Sequence, residues 1–230
     1  MTMLGASAVF TIPWSSTVRV SPLLYGFSSG VMLAASVWSL ICPAVELLSL
    51  SSVPGWLAAS VGIAGGAVFI LFLETVPFLS SLTGNENTSL LFAAVTLHNI
   101  PEGMAVGLAF ALAADVSSLA SAAALALGIG IQNIPEGAAV SLPLRTQGFS
   151  KRRAFLFSVL SGSVEPVFGL AAVLLASLVS SIMPWLMCFA AGAMLFVTAD
   201  ELLPLSAGKR GSCAFILGFV FMMMLDIALS

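Results

Sequence analysis

The sequence predicts an all-α fold, a polytopic bundle of transmembrane helices, and its composition supports this in two ways. Of 230 residues, 60% are hydrophobic and 7% are charged, whereas about 25% of the residues in a typical soluble chain are charged. The mean hydropathy is +1.14, which suits side chains that face lipid. This composition argues against a soluble enzyme, a nucleic-acid-binding protein and a disordered regulator, and it makes the lipid bilayer the expected surroundings of the chain.

Apolar runs long enough to cross a bilayer follow one another along the chain. A transmembrane helix needs about 20 mostly apolar residues, and seven runs reach that length. We therefore predict seven full spans plus a partial N-terminal helix, in a single transmembrane domain over residues 1–230. The predicted full spans are 22–48, 55–79, 89–114, 117–144, 154–180, 182–205 and 213–229.

The partial helix is predicted over residues 1–13, which are apolar but too short to cross the bilayer. This stretch also lacks the basic leader of a signal peptide. Three interpretations stay open: an interfacial segment, a re-entrant segment, or the second half of a helix that begins upstream.

The cations predict the orientation of the bundle. With these spans, all seven Lys and Arg residues fall in loops on one side of the membrane, which the positive-inside rule identifies as the cytoplasmic side. Asp115 and the C-terminus then face outside, and we expect a multi-pass protein of the cell membrane, plasma or inner. The cations are Arg19, Arg145, Lys151, Arg152, Arg153, Lys209 and Arg210.

Ionisable side chains lie inside several predicted spans. Such a group costs several kcal/mol in hydrocarbon unless it is partnered, so each one is a functional candidate. The candidates are His98, which is the only histidine, together with Glu102, Glu136, Glu165 and Glu74.

Four of these candidates belong to or follow an internal repeat. LHNIPEGMAVGL (97–108) and IQNIPEGAAVSL (131–142) match at 8 of 12 positions with an offset of 34 residues. Because consecutive spans run antiparallel, the two copies within 89–144 face each other inverted. Inverted repeats in membrane transporters place the binding site near the bilayer midplane, where the copies meet.

The spacing within each copy predicts a metal site. His98 and Glu102, like Gln132 and Glu136, are four residues apart on one helical face, close enough to share a ligand. Nitrogen and oxygen donors without thiolate suit zinc, iron, manganese or cadmium rather than copper(I), and calcium would need more oxygens. We predict no resident cofactor.

The repeat admits two other interpretations. The motif could be a helix-packing device, although packing alone does not require three buried carboxylates. An intramembrane metalloprotease would use two histidines one turn apart with a glutamate, and this chain has a single histidine.

The motifs resemble those of the ZIP family of divalent metal transporters. The resemblance rests on HNIPEG, on a second NIPEG one span later and on the Glu165-Pro166 pair of the next span. The glutamine of the second copy is similar to the broad-specificity bacterial subgroup related to GufA. The resemblance implies an inverted-repeat architecture of eight spans with both ends outside, metal transport into the cytoplasm, and a homodimer.

The resemblance also implies a two-metal site in which Glu102 and Glu136 contact both ions. Many family members have His at the position of Gln132, some have Asp at that of Asn133, and many have a long His-rich inner loop where this chain has SSLTGNENT. The implied metal ligands are His98, Asn99, Glu102, Gln132, Asn133, Glu136 and Glu165.

The sequence therefore predicts a transporter of divalent transition metals, most readily zinc, by alternate exposure of a midplane site. The leading alternative is a membrane-embedded metal-dependent hydrolase, and a metal sensor or scaffold is a third. Met32 and Ser39 are seven residues apart on one helical face, and either line the transport route or pack against neighbouring helices.

Overall fold

The computed structural model describes residues 1–11, 21–48, 53–75 and 86–229. Arg19, the side chain of Glu74 and the loop residues 80–85 lie outside this part, so the predictions made for them remain predictions. Within the described ranges every regular element is helical and none is a strand. The helices are α1 (Thr2–Ala6), α2 (Ala8–Thr11), α3 (Ser21–Ala35), α4 (Cys42–Leu48), α5 (Gly55–Glu74), α6 (Glu86–Ala111), α7 (Val116–Thr146), α8 (Lys151–Gly162), α9 (Val164–Leu174), α10 (Ala176–Val197), α11 (Leu203–Leu205) and α12 (Lys209–Leu229), with π-helical segments at Ser36–Ile41 and Thr198–Leu202.

Six segments of the described chain are long and apolar enough to cross a membrane. Helix α6 has 26 residues and is about 39 Å long at about 1.5 Å per residue, but it carries the polar residues of the first motif. The chain is thus a polytopic helical membrane protein, while the count of seven full spans remains a prediction. The six segments are Pro22–Leu48, Gly55–Leu73, Val116–Thr146, Lys151–Leu174, Ala176–Leu205 and Lys209–Ala228.

The predicted boundary between the fifth and sixth spans is wrong. The prediction ends the fifth span at residue 180 and begins the sixth at residue 182, whereas the helix of the structure breaks at Leu175, whose φ of −123° and ψ of 35° are not helical. The hydroxyls of Ser180 and Ser181 both donate to the carbonyl of Ser177, so α10 satisfies them internally. No glycine or proline marks Leu175, so the sequence carries no signal for this break.

The two helices that carry the repeat are continuous through their prolines. Helix α6 contains Pro101, and α7 contains Pro135 and Pro143. Helix α7 begins at the exposed Asp115, which accepts the backbone N–H of Ser118 at 2.7 Å. This hydrogen bond stabilises the charged form and lowers the pKa of the Asp115 carboxyl.

Among the described residues, four pairs of helices pack through glycine: α3 with α12, α5 with α10, α6 with α9, and α1 with α7. In each pair, a Cβ built onto the glycine would meet a backbone carbonyl oxygen of the partner at a distance that no real Cβ tolerates. Small residues at such interfaces let the backbones of transmembrane helices approach closely. Examples are Gly30 against Phe215 O at 2.1 Å, Gly66 against Phe189 O at 1.9 Å, Gly107 against Gly169 O at 2.1 Å, and Gly137 against Thr2 O at 2.2 Å.

The N-terminal segment is a short apolar helix pair, Thr2–Thr11. Ten residues of helix extend about 15 Å, half of the roughly 30 Å hydrocarbon core. The hydroxyl of Thr2 reaches Glu165 in the bundle interior, while at the other end Lys151 Nζ donates to the carbonyl of Phe10 at 3.0 Å. The segment therefore runs from the bundle interior towards the cations of α8, and residues 12 and 13 lie outside the described ranges.

Candidate metal site

Three of the predicted site residues converge where the two copies of the repeat meet. His98 Nε2 lies 3.2 Å from Glu136 Oε1 and 3.3 Å from Glu102 Oε1. One ligand atom from each of the three residues lies within 4.8 Å of the others. His98 is fully buried, and each glutamate is 4% exposed. The two motifs thus face each other as the inverted repeat predicts.

Several polar atoms of this cluster are left without a hydrogen bond. Within the described residues, His98 Nδ1, both carboxylate oxygens of Glu102 and Glu136 Oε2 are buried and make none. A buried polar atom without a partner costs about 1–3 kcal/mol, and more if it is charged. Two carboxylates that face one imidazole nitrogen also repel each other unless a cation or proton lies between them. The arrangement can therefore hold a positively charged ligand.

Asparagine and glutamine side chains surround this cluster, and the amide nitrogen of each one is hydrogen-bonded. Asn133 Nδ2 donates to Glu165 Oε2 at 2.7 Å. Asn99 Nδ2 donates to Ser161 Oγ at 3.2 Å. Asn133 Oδ1, by contrast, is buried and has no hydrogen-bond partner among the described residues. The amide nitrogens of Asn99 and Asn133 are thus fixed by hydrogen bonds. The amide oxygen of Asn133 is free to bind a ligand.

Glu165 lies beside the three-residue cluster and not within it. It is half-buried in the first turn of α9, two residues after Ser163, which separates α8 from α9. Its second oxygen, Oε1, accepts the hydroxyl of Thr2 at 3.3 Å. The structure thus divides the predicted ligands into a central trio and a set of hydrogen-bonded neighbours.

Asp226 is a site residue that the sequence analysis did not identify. It lies near the end of α12, is 4% exposed, and its Oδ1 accepts Gln132 Nε2 at 2.7 Å and Ser39 Oγ at 2.5 Å. The signal was an acid inside the predicted span 213–229, by the same rule that singled out the other carboxylates. The π-helical segment Ser36–Ile41 presents Ser39 to this acid, and π-helical turns are frequent at functional sites.

A cavity of about 560 Å³ leads to the site from one end of the bundle. Leu112 lines it near the end of α6, and apolar side chains such as Met183 and Met187 form much of its wall. The polar residues that line it are Ser39, Glu46, Glu102, Gln132, Ser180 and Asp226.

Apolar side chains pack the interior on the other side of the cluster. Leu91 and Val95 on α6, Val140 and Leu144 on α7, and Met194 on α10 are each at most 4% exposed and belong to one core. Met32 is also part of this core, so the structure separates it from Ser39, which lines the cavity. Among the described residues, the site is therefore accessible from one end of the bundle and covered by apolar packing towards the other.

Sequence comparisons agree with this architecture. A family model described as ZIP zinc transporter matches residues 80–226. The human zinc transporter ZIP11 is 34% identical, with 100% of this chain and 94% of that protein aligned. The zinc transporter GufA of Myxococcus xanthus is 39% identical over 89% of this chain and 85% of its own length. The zinc transporter ZIPB of Bordetella bronchiseptica is 36% identical over 93% of this chain and 73% of its own.

The matches decide between the functions that the sequence left open. The match to the family model covers the repeat, Glu165 and Asp226, and the relatives are named zinc transporters. The chain is accordingly a transmembrane transporter of divalent metal and not an enzyme, and it belongs to the ZIP zinc transporter family.

Proposed function

We propose that this chain carries zinc, and with it iron, manganese and cadmium, into the cytoplasm through a site centred on His98, Glu102 and Glu136. The observation that carries this proposal is the buried convergence of one imidazole nitrogen and two carboxylates. Zinc binds nitrogen and oxygen ligands at about 2.0–2.1 Å in tetrahedral geometry, which sets its ligands about 3.3 Å apart. The spacings of 3.2 and 3.3 Å from His98 Nε2 match that edge.

The ligand chemistry supports a borderline divalent ion as the cargo. Imidazole and carboxylate together suit zinc, iron and manganese, and the site holds no thiolate that would favour copper(I). Within the described residues, no Lys or Arg forms an ion pair with these carboxylates, so a divalent cation offsets their charge. That relatives are named zinc transporters makes zinc the first candidate.

A second metal position beside the first is part of the proposal. Both oxygens of Glu102 and the Oε2 atom of Glu136 make no hydrogen bond among the described residues, and the two Oε2 atoms can contact a second ion. Asn133 Oδ1, which has no hydrogen-bond partner among the described residues, and the Glu165 carboxylate would be further ligands of that ion. Asn99 and Gln132 complete the proposed ligand set of seven residues.

Transport by alternate exposure accounts for the one-sided access. The cavity reaches Glu102 and Gln132 from the end that contains Glu46, while the apolar core around Leu144 and Met194 closes the opposite route. A passage open at both ends would not need such a packed barrier. Release of the metal then requires these apolar side chains to separate.

We further propose the orientation and assembly that the sequence predicts. The cell membrane holds a single transmembrane domain over residues 1–230, with the cations inside and the C-terminus outside. The domain pairs as a homodimer. The cations that support this orientation are those of the loops around Lys151 and Lys209.

Uptake into liposomes tests the transport proposal. Purified chain reconstituted into sealed vesicles is expected to take up radioactive zinc, and unlabelled manganese, iron and cadmium are expected to compete. Glu136→Ala protein, reconstituted at the same protein-to-lipid ratio, is the matched negative control. Equal uptake by both proteins would contradict the site, and equal uptake by empty vesicles would contradict transport.

Thiol labelling tests the orientation. Cys42, Cys188 and Cys213 are first replaced, and one cysteine is then introduced at Lys151, Lys209 or Asp115. In intact cells, an impermeant reagent added outside is expected to label only the cysteine at Asp115. Labelling of the cysteine at Lys151 or Lys209 without labelling of the cysteine at Asp115 would contradict the proposed orientation and indicate the opposite one.

A further inference from the structure

The N-terminal segment contributes a side chain to the site that no motif of the chain marks. Thr2 Oγ1 lies 3.3 Å from Glu165 Oε1, although 163 residues separate the two in sequence. The other oxygen of the same carboxylate, Oε2, accepts Asn133 Nδ2 at 2.7 Å. Each oxygen of Glu165 therefore accepts one hydrogen bond, from donors on two different helices, α1 and α7.

The backbone around Thr2 holds this contact in place. A Cβ on Gly137 would lie 2.2 Å from the carbonyl oxygen of Thr2, and a Cβ on Gly162 would lie 2.7 Å from its hydroxyl oxygen. Helix α1 therefore packs directly against the glycines of α7 and α8, in a position that only glycine permits. The hydroxyl is fixed towards Glu165 by this packing.

The other end of the segment is anchored separately. Lys151 Nζ donates to the carbonyl of Phe10 at 3.0 Å, and the rings of Phe10 and Phe155 lie 5.3 Å apart. Two attachments about one half-span apart leave the segment little freedom to slide along α8.

We propose that Thr2 is a positioning residue for Glu165, its hydroxyl orienting the carboxylate that the second metal position requires. This inference rests on the proposed function, in which Glu165 is a metal ligand. Partners of this kind restrict a ligand before the metal arrives, and their loss typically lowers metal affinity by about 10–100-fold. For a single hydrogen bond of 3.3 Å we expect about the lower value.

Two substitutions separate the hydrogen bond from the packing. Thr2→Val keeps the branched shape and removes the hydroxyl, whereas Thr2→Ser keeps the hydroxyl and removes the methyl group. Thr11→Val is the matched control, because among the described residues the Thr11 hydroxyl donates to the carbonyl of Ala8 in its own segment and to no residue of the site.

Zinc uptake by full-length protein in liposomes, corrected for protein content, gives the half-saturating concentration and the maximal rate. We expect Thr2→Val to raise the half-saturating zinc concentration about tenfold with a smaller change in maximal rate. Thr2→Ser and Thr11→Val are expected to match wild type. A wild-type value for Thr2→Val, or a Thr2→Ser protein as impaired as Thr2→Val, would overturn the positioning role.

A double mutant distinguishes failure of this inference from failure of the proposed site. If Thr2 acts through Glu165, then Thr2→Val adds nothing in a Glu165→Ala background. A further loss in that background would also overturn the inference. Impaired Glu165→Ala with normal Thr2→Val rejects only the role of Thr2, whereas normal uptake by Glu165→Ala removes Glu165 from the proposed ligands.

Discussion

The two copies of the NIPEG motif share their backbone packing and differ in their polar partners. Gly103 and Gly137 occupy equivalent positions, and a Cβ on either would meet a backbone carbonyl oxygen, that of Glu165 at 2.3 Å or that of Thr2 at 2.2 Å. The first copy contributes His98 and Glu102, which keep open positions for a ligand. In the second copy, Gln132 and Asn133 donate to acids on other helices.

This difference shows that a sequence repeat need not build a symmetric site. The residues that both copies share set where the helices cross. The residue directly before the asparagine, which is His98 in the first copy and Gln132 in the second, sets which ligand atom each copy offers a metal. An imidazole nitrogen is a direct ligand for zinc. The amide nitrogen of Gln132 donates to Asp226, so its oxygen is the atom that Gln132 offers a metal, and this hydrogen bond connects the second copy to α12 and to the cavity.

Loss of the central ligands should have the largest effect. His98→Ala or Glu136→Ala removes one of three converging metal ligands. Loss of a residue that only supports a ligand lowers metal affinity or activity by up to about 100-fold, so we expect loss of a ligand itself to lower zinc uptake by at least that factor. Radioactive zinc uptake with matched protein content measures this. The control variant is Ser121→Ala, which removes an exposed hydroxyl from the helix that carries Glu136 and should keep normal uptake. Near-normal uptake by both His98→Ala and Glu136→Ala would indicate that the repeat serves helix packing and not metal binding.

Removal of Asp226 should have an intermediate effect. Asp226→Ala leaves the Gln132 amide and the Ser39 hydroxyl without their acceptor, so we expect about a tenfold loss of uptake at low zinc concentration. Asp226→Asn keeps an acceptor oxygen and should lose less. Because Gln132 donates a hydrogen bond to Asp226, the losses of uptake caused by the two alanine substitutions should be less than additive in the double variant. Fully additive losses would mean that the two side chains act separately.

Alanine in place of the shared glycines should mainly lower the stability of the protein. The loss of stability should be the same for both copies of the motif. Gly103→Ala or Gly137→Ala forces a methyl group against a fixed backbone, and overpacking of this kind costs about 1–3 kcal/mol. We expect a lower Tm for both variants in detergent. Gly130→Ala is the matched control on α7, because among the described residues its Cβ would meet the flexible side chain of Met1, at 3.2 Å, and no backbone atom. An equal loss of stability in that variant would contradict the explanation.

Much of the fold was predictable because hydrocarbon imposes a simple length rule. The predicted span 22–48 coincides with Pro22–Leu48, and the predicted span 117–144 lies within Val116–Thr146. The meeting of His98 with Glu136 followed from an inverted repeat on consecutive helices. Local properties of the sequence, namely run length and residue spacing, carry both predictions.

Other parts of the structure depend on partners far apart in sequence. Leu175 ends a helix without a glycine or proline, and the contact of Thr2 with Glu165 spans 163 residues. Ser161 holds the Asn99 amide, yet nothing distinguishes it from the many serines of this chain. Asp226 did carry a local signal, an acid in an apolar run, but its bond to Gln132 depends on how α12 packs against α7.

Metal coordination in the purified protein tests the central claim most directly. His98 is the only histidine of the chain, so protein prepared without a histidine tag has one imidazole to offer. X-ray absorption at the zinc edge is expected to show nitrogen and oxygen ligands at about 2.0–2.1 Å with an imidazole contribution, and this contribution should disappear in His98→Ala. A zinc site with sulfur ligands at about 2.3 Å, or a spectrum unchanged by His98→Ala, would contradict a site centred on His98, Glu102 and Glu136.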